Sequence, residues 1–527
     1  MTSTAAPATQ PVRDSTATAA RWYPAVAGLA AACTALGAGE LTTAALTVGG
    51  SLVGDVGSWF IDLAAGSLKD VAVAVFGRHD KAALVVGVVL TTLGLGAGVG
   101  LLASTRRWAG AAGFVAFSVV AAVTATSADP ARAGALCAAA AVAAVTGAGT
   151  LHGLLALPGR GRGANGRGPA QAAGPGRRSV VVATAAAALG AAAAGSAVLV
   201  RRTRTPAPLA VDLPATTSGT AVAPSEPLAV PGLSPYVTPV DRFYRIDTAL
   251  LVPRPDVRQW RLTVDGAVER PVTLTYGDLL ELATAAEPVT LSCVSNEVGG
   301  DLVGNALWQG VPLSTLLERA GVRPGGDQVL GHSLDGFTAG FPTALALDGR
   351  PAMVAVGMNG EPLPAEHGYP ARIVVAGLYG YVSAVKWLSR IELTGWDDAD
   401  GYWIPRGWSK EGPIKTQSRI DVPRAGDVLA PGRVVVAGVA WAPTRGIRAV
   451  EVQVDAGPWE RADVGAVASA NTWAQWRWTW DAAPGTHTLA VRAVDGTGEP
   501  QVAAPHEPAP NGATGLHRRE VTIRTAS

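Results

Sequence analysis

Five apolar runs fill most of the first 200 residues, and they constrain the fold more than any other feature of the chain. They lie at about 25–48, 82–104, 108–126, 133–157 and 179–200, each near the roughly 20 residues that a bilayer core requires. A segment in lipid must satisfy its own backbone polar groups, so each run predicts a transmembrane helix. Between the first two, Leu52, Val56, Trp59, Phe60 and Leu63 recur at helical spacing, with Asp55, Asp62 and Asp70 elsewhere. That pattern predicts an amphipathic helix lying on the membrane surface. Residues 1–24 read as a disordered cytoplasmic tail and 25–202 as the transmembrane domain.

Charge gives the orientation. Arg13, Arg21, Arg106, Arg107, Arg160, Arg162, Arg167, Arg177 and Arg178 all fall on one side if five spans alternate, and that side is expected to be cytoplasmic. An odd number of spans then places everything after residue 202 outside the cytoplasm, at the cell membrane. Arg177-Arg178 directly precedes a weakly hydrophobic Ala-rich run. It resembles a twin-arginine export signal and is also a plain positive-inside pair. Glu40 and His152 are the ionisable residues within spans. They suit either a polar cavity such as a quinone site or a helix–helix hydrogen bond. One histidine does not make the pair that a span-bound haem needs.

Composition excludes several classes. The 527 residues exceed one ordinary domain, and a net charge of +1 gives no basic field for nucleic acid. Cys33 and Cys137 lie in apolar runs, which leaves Cys293 alone in the second half. No disulfide pair is available there, and without CxxCH or CxxC neither c-type haem nor a cysteine-held iron–sulfur cluster is expected.

Beyond the spans, 203–235 is Pro-rich and predicts an extended tether. Residues 236–418 alternate short strands (260–264, 352–356, 372–375, 385–393) with short helices (276–282, 313–320), a mixed α+β pattern, and Asn359-Gly360 marks a hairpin turn. A buried strand at 288–291 runs into Cys293, which precedes a loop with Gly299, Gly300 and Gly304. A lone cysteine at a strand end is most often a small buried hydrophobe. Residues 419–527 predict an all-β sandwich with Trp441, Trp473, Trp476, Trp478 and Trp480 in its core.

The second half resembles the sulfite oxidase-like, molybdopterin-dependent oxidoreductases, in a membrane-anchored form. Phe243-Tyr244-Arg245-Ile246-Asp247, Cys293 with Asn296, Asn305-Ala-Leu-Trp308-Gln-Gly310, and Met358-Asn-Gly-Glu-Pro-Leu-Pro364 followed by His367-Gly-Tyr-Pro370-Ala-Arg372 carry the likeness. Gly380 and Val385-Lys386-Trp387-Leu388 complete it. The resemblance implies a fold of three parts: the helical membrane bundle, a sulfite oxidase-type α+β domain, and an immunoglobulin-like, dimerisation-type C-terminal domain. It implies a molybdopterin cofactor with Cys293 as the metal ligand and Arg245 beside the metal. Asn296, His367, Arg372, Lys386 and Arg245 would hold the cofactor, Arg by a bidentate fork and Lys as a point charge.

The departures from that family are chemical. Where it carries a tyrosine near the metal, this chain reads Trp403-Ile-Pro-Arg406-Gly-Trp408, and the indole of Trp408 offers only an N–H donor. The arginines expected after the cysteine are Glu297 and Val298, and Asp247 stands where a histidine is usual. Fewer positive charges disfavour a dianion such as sulfite and favour oxygen-atom transfer on a small neutral or sulfoxide-type substrate. With no haem of its own, the chain would exchange electrons with a separate cytochrome or quinone. A homodimer and a monomer both remain open. Sulfite oxidation proper is the alternative enzyme, a tethered cell-surface binding protein is the non-enzymatic one, and a thiol enzyme built on Cys293 ranks last.

Overall fold

The computed structural model describes residues 15–46, 51–63, 80–128, 133–157, 177–204, 211–219 and 228–524. Two compact units divide the chain, Met1–Pro206 and Ala207–Ser527. The tail before Ser15, most of the arginine-rich 158–178 loop, residues 64–79 of the surface-helix region and parts of the tether lie outside the described residues.

The first unit contains α1 (Ser15–Leu46), α2 (Leu52–Leu63), α3 (Asp80–Thr105), α4 (Arg107–Ala128), α5 (Ala133–Ala156) and α6 (Arg177–Arg204). Five of them, all but α2, are long and apolar enough to cross a membrane, the mark of a membrane protein by length and composition. Helix α1 starts at Ser15, so the residues just before the first apolar run are helical rather than a disordered tail. Small residues let the backbones close in. A Cβ on Gly100 of α3 would lie 2.8 Å from the Cα of Gly28 on α1, the close packing that small residues permit between membrane helices.

Helix α2 is more than a surface element. Leu52 is buried with Leu136 and Ala139 of α5. The carboxylate of Glu40 on α1 accepts from the Ser51 hydroxyl at 3.0 Å and from the Val53 amide at 2.8 Å. It also pairs with Arg201 at the end of α6. Glu40 is thus an interhelical clasp, and it also lines a largely apolar cavity with Leu36, Leu52, Thr92 and Phe114. His152 is exposed on α5.

Among the described residues, the second unit is built on four sheets. The first has order β1-β4-β5-β8-β10, with β9 on β8. Its strands are β1 (Ser218–Gly219), β4 (Ala285–Ser292), β5 (Val303–Pro312), β8 (Ala352–Met358), β9 (Glu361–Pro362) and β10 (Arg372–Val375). The second, β3-β2-β11-β6-β7, comprises β2 (Arg261–Gly266), β3 (Val272–Thr275), β6 (Gln328–Ser333), β7 (Thr338–Pro342) and β11 (Leu388–Thr394). Helices at Tyr276–Leu282 and Leu313–Ala320 match the sequence expectation. The former opens with a capping box between Thr275 and Asp278. The latter buries Leu313, Leu316, Leu317 and Ala320, a single face at 3.6-residue spacing. Asn359 and Gly360 have φ of 54° and 85°, both positive as the tight turn joining β8 to β9 requires.

The C-terminal segment packs two sheets face to face. One is β12 (Gln417–Val422), β14 (Gly432–Trp441), β18 (Ala474–Ala482) and β17 (Asp463–Val464). The other is β13 (Val428–Leu429), β20 (His517–Ile523), β19 (Gly485–Asp495), β15 (Ile447–Val454) and β16 (Trp459–Arg461). Ile420, Val436 and Trp476 of the first meet Val452, Leu489 and Val521 of the second in one core. Two expectations change here. Trp441 and Trp473 belong to the core of the α+β region rather than to that of the sandwich, so 236–418 and 419–527 are not independent in packing. The Pro-rich stretch is only partly a tether. Gln309 donates to the Pro214 carbonyl at 2.7 Å, β1 pairs in parallel with β4, and Leu228 donates to the Gln475 side chain at 3.1 Å.

A buried polar knot ties these parts behind the strand that leads to Cys293. Asn305 accepts from the Thr290 hydroxyl at 3.0 Å and donates to the Tyr236 carbonyl at 2.9 Å. The same carbonyl receives the Trp473 indole at 2.8 Å, and the Trp473 amide donates to Thr290 at 2.7 Å. Buried groups left without a partner cost about 1–3 kcal/mol each. Asn305→Ala should therefore destabilise the second unit by about 2–4 kcal/mol, read as a lowered midpoint of chemical unfolding followed by tryptophan fluorescence.

Candidate active site around Cys293

Cys293 follows the last residue of β4, and the backbone turns there because the loop closes on itself. The Cys293 amide donates to the Leu302 carbonyl at 2.9 Å, and the Asn296 amide donates back to the Cys293 carbonyl at 3.1 Å. The Asn296 side-chain oxygen accepts from the Leu302 amide at 2.8 Å, while its Nδ2 is buried without a hydrogen-bond partner. The thiol is buried and not in a disulfide. The sandwich braces this loop from outside. Gly299, at φ 79°, lies against the His517 ring with no room for a Cβ, and Arg419 donates to the Gly300 carbonyl at 2.8 Å.

Beside the loop stands an aromatic group. Phe243 covers Gly304, where a Cβ would come within 2.7 Å of its ring. Its ring stacks on Tyr244 at 5.2 Å and meets Trp308 and His367 edge-on, each at 5.7 Å. The Arg372 guanidinium lies over Trp308, 4.8 Å from the ring centre.

Arg372 is the electrostatic centre of the arrangement. It is 5% exposed, donates once to the His367 carbonyl at 3.2 Å, and its Nε is buried without a partner. Among the described residues no carboxylate pairs with it. Burial pulls its pKa down to about 10, with the neighbouring Tyr244 acting the other way. A buried cation with no counter-ion is expensive. The Tyr244 phenol is pushed well above its ordinary range, first by burial and then by the Cys293 sulfur, with Arg372 opposing. Its hydroxyl has no hydrogen-bond partner among the described residues. Tyr379 feels the same sulfur: burial first, then Cys293, raises it to about 12.

The remaining positions fall into place around this centre. Gly368 packs so tightly that a Cβ there would sit 3.1 Å from both Arg372 and Lys386. Lys386 is buried and donates to Asp247 at 2.8 Å, and Asp247 also accepts from Arg245 at 3.0 Å. His367 is depressed to about 4 by burial, then by the Arg372 charge. It is therefore neutral at pH 7, and its Nε2–H donates to the Val240 carbonyl at 3.1 Å. Trp408 is half-buried, with its ring 5.7 Å from Tyr381 and 6.2 Å from Trp403. Tyr244 was not singled out from the sequence. It lies inside the quoted motif beside Arg245, but its stacking on Phe243, which packs on Gly304, depends on contacts across the fold that no local spacing announces.

Comparison with known proteins gives the family. The family model for the oxidoreductase molybdopterin-binding domain matches residues 249–403. An uncharacterized oxidoreductase, YuiH, of Bacillus subtilis (strain 168) is 33% identical over 157 residues, 30% of this chain and 76% of that protein. Mitochondrial sulfite oxidase of Mus musculus is 30% identical over 272 residues, 44% of this chain and 49% of that protein. The chain thus spans about half the length of several curated relatives that it matches. The solved structure of sulfane dehydrogenase SoxCD from Paracoccus pantotrophus has 25% identity and a TM-score of 0.47, covering 56% of this chain and 85% of that one. The chain belongs to the molybdopterin-binding oxidoreductase family. It is an oxidoreductase that uses a molybdenum cofactor.

The residues present fit such a group. An anionic, acceptor-rich cofactor would satisfy the Arg372 charge and the unpartnered Nε of Arg372 and Nδ2 of Asn296, and a thiolate is a suitable ligand for molybdenum.

Two histidines set an acid limit on the fold. His517 is depressed to about 4, by burial and then by the charges of Arg519 and Arg419. Its Nδ1 accepts the Ile420 amide at 2.9 Å, a bond that protonation breaks. Unfolded, both His367 and His517 take up protons near 6.5, but folded only near 4, so stability falls as pH drops between those values. Each contributes on the order of 3 kcal/mol across that window. His517→Asn keeps an acceptor without titrating, and should flatten about half of the decline when unfolding midpoints are compared from pH 7 to pH 4.

Proposed function

We propose that this chain is a membrane-anchored oxidoreductase whose catalytic unit lies outside the cytoplasm and transfers an oxygen atom to or from a small neutral substrate of the sulfoxide type. The observation that carries the reading is the buried Arg372 cation, uncompensated by any carboxylate among the described residues, over the Trp308 ring. In this reading Cys293 binds molybdenum through sulfur. Arg372 and Lys386 hold the anionic part of the cofactor, Asn296 donates from its unpartnered Nδ2, and neutral His367 offers its bare Nδ1 as an acceptor. When bound, the group supplies two-electron redox chemistry, and the protein orients it and tunes its charge.

The charge inventory favours a neutral oxide over sulfite. Asp247 binds both Arg245 and Lys386, so two cations near the motif share one carboxylate and the field on an incoming dianion is reduced. Arg245 orients substrate from that ion pair, and Trp408 and its aromatic neighbours form an apolar wall. Sulfite oxidation remains the second enzymatic reading, supported by the similarity to the mouse enzyme over half of its length.

The five apolar helices support membrane anchoring, and the positive residues at their ends support an outward catalytic unit. Arg177-Arg178 at the start of α6 would direct export of the already folded unit. Electrons pass to or from a separate cytochrome or a membrane quinone. The C-terminal sandwich is read as an immunoglobulin-like module of the dimerisation type.

Metal analysis of the purified full-length protein, with a sulfoxide reduction assay and a sulfite oxidation assay, tests the reading. Wild type should carry about one molybdenum per chain and turn over a sulfoxide, whereas Cys293→Ser should keep under about 1% of the turnover. Arg372→Gln should lower cofactor content about tenfold, the effect of removing a charge-assisted bond worth roughly 1.5–3 kcal/mol. Absence of molybdenum from wild type made in a host that synthesises the cofactor would defeat the enzymatic reading and leave the tethered binding protein.

A further inference from the structure

The membrane bundle contains a cavity that anchoring alone does not require. It measures about 120 Å³ and lies between α1, α2, α3, α4 and α5, near the size of the apolar cavity of roughly 150 Å³ that admits a benzene ring. Small residues make the room: Ala32, Ala35 and Gly39 line it from α1, and Ala140 and Ala143 from α5. Phe114 and Phe117 of α4 also line it, and aromatic side chains pack well against another flat ring. Val88 of α3 and Val120 of α4 carry the lining to the surface of the bundle, where Val120 is 43% exposed. Both helices are long and apolar enough to cross the membrane, so this opening suits a lipid-soluble molecule entering from the side. The polar side chains of the lining are Glu40, Thr92 and Ser118. The Glu40 carboxylate receives the Ser51 hydroxyl, the Val53 amide and the Arg201 guanidinium. A carboxylate has about four lone-pair sites, so these donors leave it one acceptor position.

We infer that this cavity binds the ring of a membrane 1,4-hydroquinone, with Glu40 accepting one of its hydroxyls and its tail leaving between α3 and α4. The inference rests on the proposed redox function and deepens it: the electron partner is a quinone pool, and the direction is reduction of the sulfoxide. The lining discriminates among lipid-soluble occupants. A fatty acid would bring a second carboxylate against Glu40 and be repelled. No histidine or cysteine is among the described residues that line the cavity, so they offer haem no such axial ligand. A hydroquinone matches on each count. Its ring packs on Phe114 and Phe117, one O–H donates to Glu40, and the hydroxyl oxygens of Thr92 and Ser118 can accept from the other. Glu40 stands within the last two turns of α1 and pairs with Arg201 near the end of α6. The proposed topology places that end of the bundle outside the cytoplasm. Oxidation of a hydroquinone to the quinone releases two electrons and two protons, which are what reduction of a sulfoxide to a sulfide and water consumes.

The test compares wild type, Ser118→Phe, Glu40→Gln and Val181→Phe as loaded full-length proteins in lipid nanodiscs under anaerobic conditions. Val181 is 65% exposed on α6 and does not line the cavity, so its variant controls for added bulk. Calorimetric titration with decylubiquinol and with menadiol, corrected for uptake by protein-free nanodiscs, gives the affinities. Circular dichroism and molybdenum content check the fold of each variant. We expect wild type and Val181→Phe to bind at least one of the two hydroquinones equally well. Ser118→Phe, which fills the cavity, should bind it about tenfold more weakly or worse. Glu40→Gln should weaken the hydroquinone about tenfold and the oxidised quinone, which has no O–H to donate, less. Unchanged affinity in both Ser118→Phe and Glu40→Gln, or equally tight binding of n-decanol, would overturn the inference. So would a wild type that binds neither hydroquinone yet carries molybdenum and reduces dimethyl sulfoxide with reduced methyl viologen, a result that leaves the proposed function standing. Wild type without molybdenum, or without turnover driven by the viologen, would defeat the proposed function and the inference with it.

Discussion

A guanidinium buried without a counter-ion is the constraint on which the catalytic unit depends. Arg372 opens β10 of the cysteine-bearing sheet and lies buried over the Trp308 ring. Cation–π attraction and one carbonyl offset only part of the cost of taking such a charge out of water. A protein retains that cost when something else brings the missing anion. The surroundings are arranged to the same end. His367 is held neutral, the Asp247 carboxylate is shared by Lys386 and Arg245, and Asn296 keeps a donor in reserve.

The sandwich at the C-terminal end contributes to the site without lining it. Trp473 enters the core of the α+β region and hydrogen-bonds on both sides of Asn305, while Arg419 and His517 press on the glycines that follow Cys293. The loop that carries the thiol is thus fixed from a second layer, as a metal anchor requires if its geometry is to be held tightly. The same contact predicts that acid weakens the fold, because the ring that supports Gly299 must stay unprotonated to accept the Ile420 amide.

Much of this was legible in the sequence because the relevant signals are local. Hydrophobic length located the five long helices, leucine spacing located Leu313–Ala320, and Asn359-Gly360 located its turn. What was not legible arises from contacts between distant segments. The Pro-rich stretch looked like free tether, yet β1 finds an open strand edge on β4. Trp441 and Trp473 looked like sandwich core, yet they fill the neighbouring one. Tyr244 lies one residue from Arg245 in the motif, but its stacking on Phe243, which packs on Gly304, joins segments far apart in the chain.

The central claim is that Arg372 is retained for an anion that the cofactor supplies. Thermal unfolding of Arg372→Met and wild type, each prepared with and without cofactor, tests it directly. The account predicts opposite signs: the substitution raises the melting temperature of the cofactor-free protein, because a buried unpaired charge is removed, and lowers that of the loaded protein. Equal destabilisation in both states would contradict it, and would make Arg372 a structural residue whose charge the fold already accommodates.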